Sequence, residues 1–301
     1  MEPTGYIPYC TVDQLHAALI ARELSVTELV EVFLQRIESV NDSGAALHAI
    51  VEVNPDVDQI AAKLDNELRA GISRGPLHGI PILLKDNIDT ADRMMTTAGS
   101  LALVGSAPAY DATVAHQLRG AGGVLIGKTN MSEWANFRST SSTSGWSARG
   151  GQCRSPYASD RNPSGSSSGS AVAVAAGLCT VALGTETDGS ITSPANNNGI
   201  VGLKPTVGLT SRAGVVPVSA TQDSVGAFGR TVADVAHVLN AIVARKPDPN
   251  DLATVRGASN SRPDYTFHLK HNGLSGARIG VARSGFFGRS AHADRIAERR
   301  S

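Results

Sequence analysis

The sequence carries no excess of either charge: 27 Lys and Arg are cancelled by 27 Asp and Glu across 301 residues. No global field would draw in nucleic acid, an acidic lipid surface or a strongly charged substrate, so neither nucleic acid nor membrane is expected as a partner. Cysteine is scarce as well. Cys10, Cys153 and Cys179 are odd in number, widely spaced and without a CxxC pair or nearby histidines, which argues against a zinc site and leaves reduced, structural thiols. No metal or cofactor is expected. A long apolar run is also missing: the most membrane-like stretch, Ala171 to Leu183, contains Gly177 and Thr180 and falls short of the roughly 18 to 20 apolar residues a spanning helix needs. The opening MEPTGYIPYC lacks a basic start followed by an apolar core, so it does not read as a secretory signal and a cytoplasmic address follows. What is present, 41% hydrophobic and 18% charged residues, is the composition of a soluble globular chain long enough for a large core.

Helices open the chain. Thr11 with Gln14 and Ser25 with Glu28 are capping-box pairs, and Leu29, Phe33 and Ile37 then share one helical face. The spacing predicts another helix from Pro55 to Ala70, stopped by Gly71, followed by a buried strand at Ile80 to Leu84 that places Lys85 at its C-terminal end. Helix then strand recurs at Ala112–Arg119 with Val124–Ile126, and at Ala171–Ala176 with Thr180–Leu183. That alternation predicts an α/β fold, whose ligands collect at strand ends. Between Ser139 and Ser170, 17 of 32 residues are Gly or Ser, a flexible-linker composition. Trp146, Arg149, Gln152 and Tyr157 interrupt it, and it runs directly into an apolar segment, so an ordered loop over a site is expected instead.

Two short motifs lie in the wrong surroundings. Gly122, Gly127, Lys128 and Thr129 match the phosphate-cradling G-x-x-x-x-G-K-T pattern, but Val124 to Ile126 should then be loop and is instead an apolar β-branched run. Gly165 to Gly169 satisfies G-x-S-x-G with Ser167 as nucleophile, yet the turn sequence Asp160 to Ser164 stands where that motif needs a strand. None of the eight histidines has an obviously catalytic context, and His116 and His237 fall on amphipathic helices, where packing is the expected role.

A third constellation combines Lys85 in GIPILLKDNID, Ser166 in PSGSSSGSAVAVAAG and Ser190 in GTETDGSITSPANNNGIVGLKPT. With LHGIP, TTAGS, GKTNMSEWA, SGWS, RGGQ and LKPTVG in order around them, the chain resembles the amidase signature family over most of Leu77 to Leu239. GTETDGS, SRAGVVP and YTFHL look most similar to its peptide amidases. The resemblance implies a mixed, twisted sheet covered by helices on both sides. It also implies a catalytic triad in which Ser190 is acylated, Ser166 bridges, and Lys85 is base and later acid. Ser167 is a plausible hydrogen-bonding neighbour. The family's serine matched by Ser166 follows a cis peptide bond, and Thr187, Asp188, Gly189 and Ser190 would present backbone N–H groups to the oxyanion. Asp188 departs from the family's commoner glycine.

Such chemistry needs a neutral lysine. At pH 7 a free lysine is only about 0.04% neutral, so its pKa must fall by roughly three units, about 4 kcal/mol. Burial at the end of an apolar strand provides that shift by desolvation, and Asp86 would oppose it if it pointed inward. Ile191, Thr192 and Ser193 stand where family members acting on acidic or glutamine-like substrates tend to place an arginine. A neutral carboxamide is therefore expected: a peptide C-terminal amide or a small aliphatic or aryl amide. An ammonia-releasing amidase like the amidase component of glutamyl-tRNA amidotransferase is the related alternative.

The expected organisation is a helical part at residues 1–75, a signature core at 76–283 and a basic, poorly ordered tail at 284–301. LSGARIGVAR at Leu274 to Arg283 resembles the strand that begins the C-terminal half of the family's longer chains. From Arg283 to Ser301 there are five arginines and two acidic residues with few apolar positions, so the sheet is expected to be incomplete. A truncated, non-catalytic fragment that retains the motifs is the alternative of a different class.

Overall fold

A computed structural model describes residues 4–299. Both capping boxes form: Thr11 and Gln14 start α1 (Val12–Ala21), and Ser25 and Glu28 start α2 (Val26–Arg36). Leu29, Phe33 and Ile37 lie buried together, although Ile37 already belongs to a π-helical turn, Ile37–Asp42. The elements that follow are β1 (Ile50–Val53), α3 (Val57–Arg69), β2 (Pro81–Lys85), α4 (Thr113–Gly120) and β3 (Val124–Thr129). The Gly/Ser-rich segment holds a short antiparallel pair, β4 (Trp146–Ser147) with β5 (Gly151–Gln152). After it come α5 (Ser168–Ala175), β6 (Val181–Glu186), α6 (Thr192–Asn197), β7 (Val201–Leu203), β8 (Ser224–Gly229), α7 (Val232–Ile242) and α8 (Thr254–Asn260).

Six strands form one mixed sheet in the order β1–β3–β2–β6–β8–β7. β3, β2 and β6 run parallel, while β1 and β8 pair antiparallel with β3 and β6, and β7 antiparallel with β8. Every residue of β2, β3, β6 and β8 is buried. A strand buried at successive positions has both faces covered, because its side chains alternate across the sheet. α5 packs on β1, β2, β3, β6 and β8, and α7 on β6, β7 and β8. This is the mixed, helix-covered sheet that the sequence led us to expect. Because β2 and β6 are adjacent and parallel, their carboxyl ends finish on the same edge of the sheet, and the site forms there.

The chain divides into two compact units, Met1–Thr266 and Phe267–Ser301. The helices before residue 75 belong to the first unit with the sheet, and residues 267–283, expected with the core, belong to the second. Within the second unit LSGARIGVAR is not a strand: Ile279 and Val281 are exposed and no described strand pairs with them. A strand has no stability without a neighbouring edge to take its N–H and C=O groups. In the expected tail, Ser290 caps a helix, α9 (Ala291–Glu298), and an Arg283–Glu298 ion pair spans 3.4 Å.

Candidate active site

β2 carries Lys85 to the edge of the sheet with its side chain wholly buried. Its Nζ lies 2.8 Å from Ser166 Oγ, 2.9 Å from Thr185 Oγ1 and 3.2 Å from the Thr185 carbonyl. No carboxylate pairs with it among the described residues. Desolvation lowers its pKa to about 7, partly opposed by the more distant Asp223 and Glu186. Asp86 is buried next in sequence, but turns to Arg149, 2.8 Å away, and to the Thr97 hydroxyl and Gly99 N–H. Arg149 also pairs with Glu52. The carboxylate that could have held Lys85 charged is thus engaged elsewhere.

Ser166 stands in the turn before α5, and the Gly165–Ser166 peptide bond is cis. Glycine is needed before it: a Cβ at Gly165 would sit 2.4 Å from Ser132 Oγ and 2.7 Å from Ser168 Oγ. One turn on, a Cβ at Gly169 would sit 2.1 Å from the Ala49 carbonyl, so the helix start lies directly against the neighbouring backbone. Ser167 is fully buried, donating to the Thr185 carbonyl at 3.0 Å and accepting from Thr185 N–H at 3.2 Å. A hydroxyl so occupied ties α5 to β6. No strand precedes it, which removes the nucleophile-elbow reading.

Ser190 follows β6 in a loop folded by Glu186, whose carboxylate accepts the N–H groups of Ile191 and Thr192 at 2.6 and 2.8 Å. A charge-assisted clamp of this kind holds the loop against the strand it leaves. The Ser190 carbonyl accepts from Ser167 N–H at 3.2 Å, joining the two serine segments. Its hydroxyl has no hydrogen-bond partner among the described residues, nor do the N–H groups of Thr187, Asp188, Gly189 and Ser190. Gly189 adopts φ +80°, a left-handed turn that glycine makes without a Cβ penalty. Asp188 is exposed, so its carboxylate is solvated. Thr187 donates to Asp223 at 2.6 Å, which pins the loop from the other side.

Beside Thr185 and Thr187 lies a cavity of about 200 Å³, lined also by Asn87, Asp223 and an apolar wall at residues 215–218. Arg212 reaches it but is already held by both oxygens of Asp251, at 2.6 and 2.9 Å.

The remaining candidates are brought elsewhere. Lys128 and Thr129 lie within β3, not in a loop, so the phosphate-cradle pattern is a helix-to-strand turn. His78 is buried between the Leu64 carbonyl and the Arg74 N–H, His237 pairs with Asp13, and His116 is exposed on α4. Cys153 and Cys179 are buried, and desolvation pushes both thiols up. No group of His, Cys, Asp and Glu suited to a metal ion occurs among the described residues. Nor is any described helix long and apolar enough to cross a membrane. Sequence reasoning missed Thr185, Glu186, Asn87 and Asp223. Thr185 and Glu186 lie inside the quoted GTETDGS motif, but only the sheet shows that they face Lys85 and the loop.

The amidase family model matches residues 28–298. The chain belongs to the amidase family. Its fold superposes on the native peptide amidase of Stenotrophomonas maltophilia with a TM-score of 0.89 at 54% identity, covering 92% of this chain and 56% of that one. A probable amidase of Arabidopsis thaliana is 48% identical over 93% of this chain and 54% of its own length. A glutamyl-tRNA(Gln) amidotransferase subunit from Acidothermus cellulolyticus is 42% identical over 91% and 52%. The chain thus spans about half the length of these relatives.

Proposed function

We propose that this chain carries the catalytic half of an amidase that hydrolyses a neutral carboxamide through an acyl-enzyme. The observation that carries this reading is the buried, unpaired Lys85 amine 2.8 Å from Ser166 Oγ, since a base must be both neutral and within reach of the proton it takes. Ser190 Oγ attacks the carbonyl carbon. On substrate binding the Ser190 hydroxyl, unpartnered among the described residues beforehand, gives its proton to Ser166 Oγ as the Ser166 proton passes to Lys85 Nζ, 2.8 Å away. The unpaired N–H groups of the 187–190 loop receive the oxyanion, which grows where the ground-state carbonyl had little charge. On collapse the proton returns from Lys85 through Ser166 to the departing nitrogen, releasing ammonia or an amine. Water then takes the place of the Ser190 oxygen by the same path in reverse.

The surroundings favour an uncharged substrate. Ile191 is buried and Thr192 and Ser193 are exposed hydroxyl residues, so no cation follows the nucleophile. The adjoining cavity offers an apolar wall, and its arginine is neutralised by Asp251. The peptide amidase relative supports a peptide C-terminal amide as one member of this class. The amidotransferase reading is the weaker one, for want of that cation. Rapid quenching with a neutral aryl amide followed by peptide mapping tests the proposal. An acyl adduct is expected on Ser190, lost in Ser190→Ala and retained in Thr221→Ala. An adduct on Ser167, or one that persists in Ser190→Ala, overturns it.

A further inference from the structure

Resting on that reading, the geometry points to Asn87 and Thr185 as positioning residues that keep the Lys85 lone pair directed at Ser166. Lys85 Nζ has three oxygen neighbours: Ser166 Oγ, Thr185 Oγ1 and the Thr185 carbonyl. A neutral amine has two N–H groups and one lone pair. The carbonyl can only accept, so it takes one N–H. If the Thr185 hydroxyl takes the other, the lone pair faces Ser166 and the base is ready. If the hydroxyl instead donates to nitrogen, the lone pair is occupied and Ser166 cannot pass its proton on.

Asn87 holds the hydroxyl that these arrangements share. It is buried, and its Nδ2 donates to Thr185 Oγ1 at 3.1 Å. That N–H takes one lone pair of Oγ1 and fixes the side chain, leaving the second lone pair for the Lys85 N–H and the cavity that Thr185 lines as an outlet for the hydroxyl proton. In this arrangement Thr185 is the acceptor for Lys85, 2.9 Å away. The carbonyl is held in place independently, because it also accepts from Ser167 Oγ at 3.0 Å. When Ser166 gives up its proton, the ammonium has three N–H groups for the same three oxygens. One proton crosses the 2.8 Å line between Ser166 Oγ and Nζ, and no side chain turns. Other charges near Lys85 are spoken for. Glu186 clamps Ile191 and Thr192, Asp223 accepts from Thr187, Val218 and Ser219, and Lys128 on the next strand bonds to Ile88 and Thr96.

The test follows the Lys85 amine directly, by NMR of its labelled ε-carbon against pH, alongside kcat and KM, in the full chain. Thr185→Val removes the hydroxyl acceptor. Its Lys85 midpoint should fall by roughly one pH unit, the scale of one hydrogen bond to a charged group. Its kcat should fall roughly tenfold to a hundredfold with KM little changed, as for a misplaced catalytic group. Thr185→Ser should restore both. Asn87→Leu should move the midpoint and kcat in the same direction, and should add nothing in the Thr185→Val background, since Asn87 acts through that hydroxyl. Unchanged midpoint and kcat in folded Thr185→Val, or additive effects in the double variant, overturn the inference. The NMR titration needs no turnover, so a chain lacking amidase activity would count against the proposed function while leaving this inference open to the same measurement.

Discussion

Two lysines buried on neighbouring strands differ in what their nitrogens touch. Lys85 on β2 and Lys128 on β3 are both fully buried, and desolvation lowers both, to about 7 and about 8. Neither has an ion pair among the described residues. Lys85 reaches a serine hydroxyl, a group that can surrender a proton. Lys128 donates to the Ile88 carbonyl at 2.7 Å and the Thr96 hydroxyl at 3.0 Å, and so fastens the segment that follows Lys85 onto the sheet. A depressed amine alone therefore does not identify a base, and its hydrogen-bond partners must be considered with it.

The strongest way to break this comparison is to remove each amine in turn. Lys85→Met is expected to lower kcat by about 10² to 10⁴, the range for a general base, and to abolish the rise of activity with pH. Lys128→Met should keep that rise and lose instead about 1 to 3 kcal/mol of stability, because the Ile88 carbonyl would keep only the Thr96 hydroxyl, 3.3 Å away, as a donor. If Lys128→Met removed the pH limb, the division of roles would fail.

The next effect concerns the charge network that turns Asp86 away from Lys85. Arg149→Ala leaves Asp86 buried and unpaired and Glu52 partly so. Breaking such a pair costs about 3 to 5 kcal/mol, readable as a fall in the denaturation midpoint. Arg149→Lys should recover only part of it, because an ammonium cannot span both carboxylates as the guanidinium fork does. Full recovery by lysine would show that charge alone, without the fork, organises this cluster.

A subtler measurement sharpens the comparison through pH. Working Lys85 must be neutral, so activity should rise through about pH 7. Stability should rise with pH as well. From about 7 up to the ordinary lysine value of 10.5 the unfolded chain binds a proton that the folded chain does not. The destabilisation is full below that window and is relieved across it. Lys85→Met should flatten this part of the stability profile and leave the part due to Lys128. The smallest effect is expected from His78→Ala, which should leave the position of the activity limb unmoved, since His78 serves the Leu64 carbonyl and the Arg74 N–H. A shifted limb in that variant would bring histidine back into the mechanism.

Much of this site can be read along the chain because its parts are local. A capping box spans four residues, and Thr11 with Gln14 and Ser25 with Glu28 close as their spacing predicts. An apolar run ending in a lysine, and glycines where no Cβ fits, likewise carry their reasons within a few residues. The same locality explains the failure at Leu274–Arg283, whose strand-like pattern finds no described neighbour with which to pair.

Sequence alone thus supplied the candidates for the proposed chemistry: a lysine at the end of a buried strand, two serines in turns beside glycines, and no cation directly after the second. Tertiary structure decided which side chains meet and lowered the pKa of the buried lysine. Parallel pairing of β2 with β6 brings Thr185 to Lys85 across 100 positions of sequence. Arg149 takes Asp86 from 63 positions away, and Asp223 takes Thr187 from 36. Hydrogen bonds and desolvation act over a few ångströms of space, and only the folded sheet sets those distances.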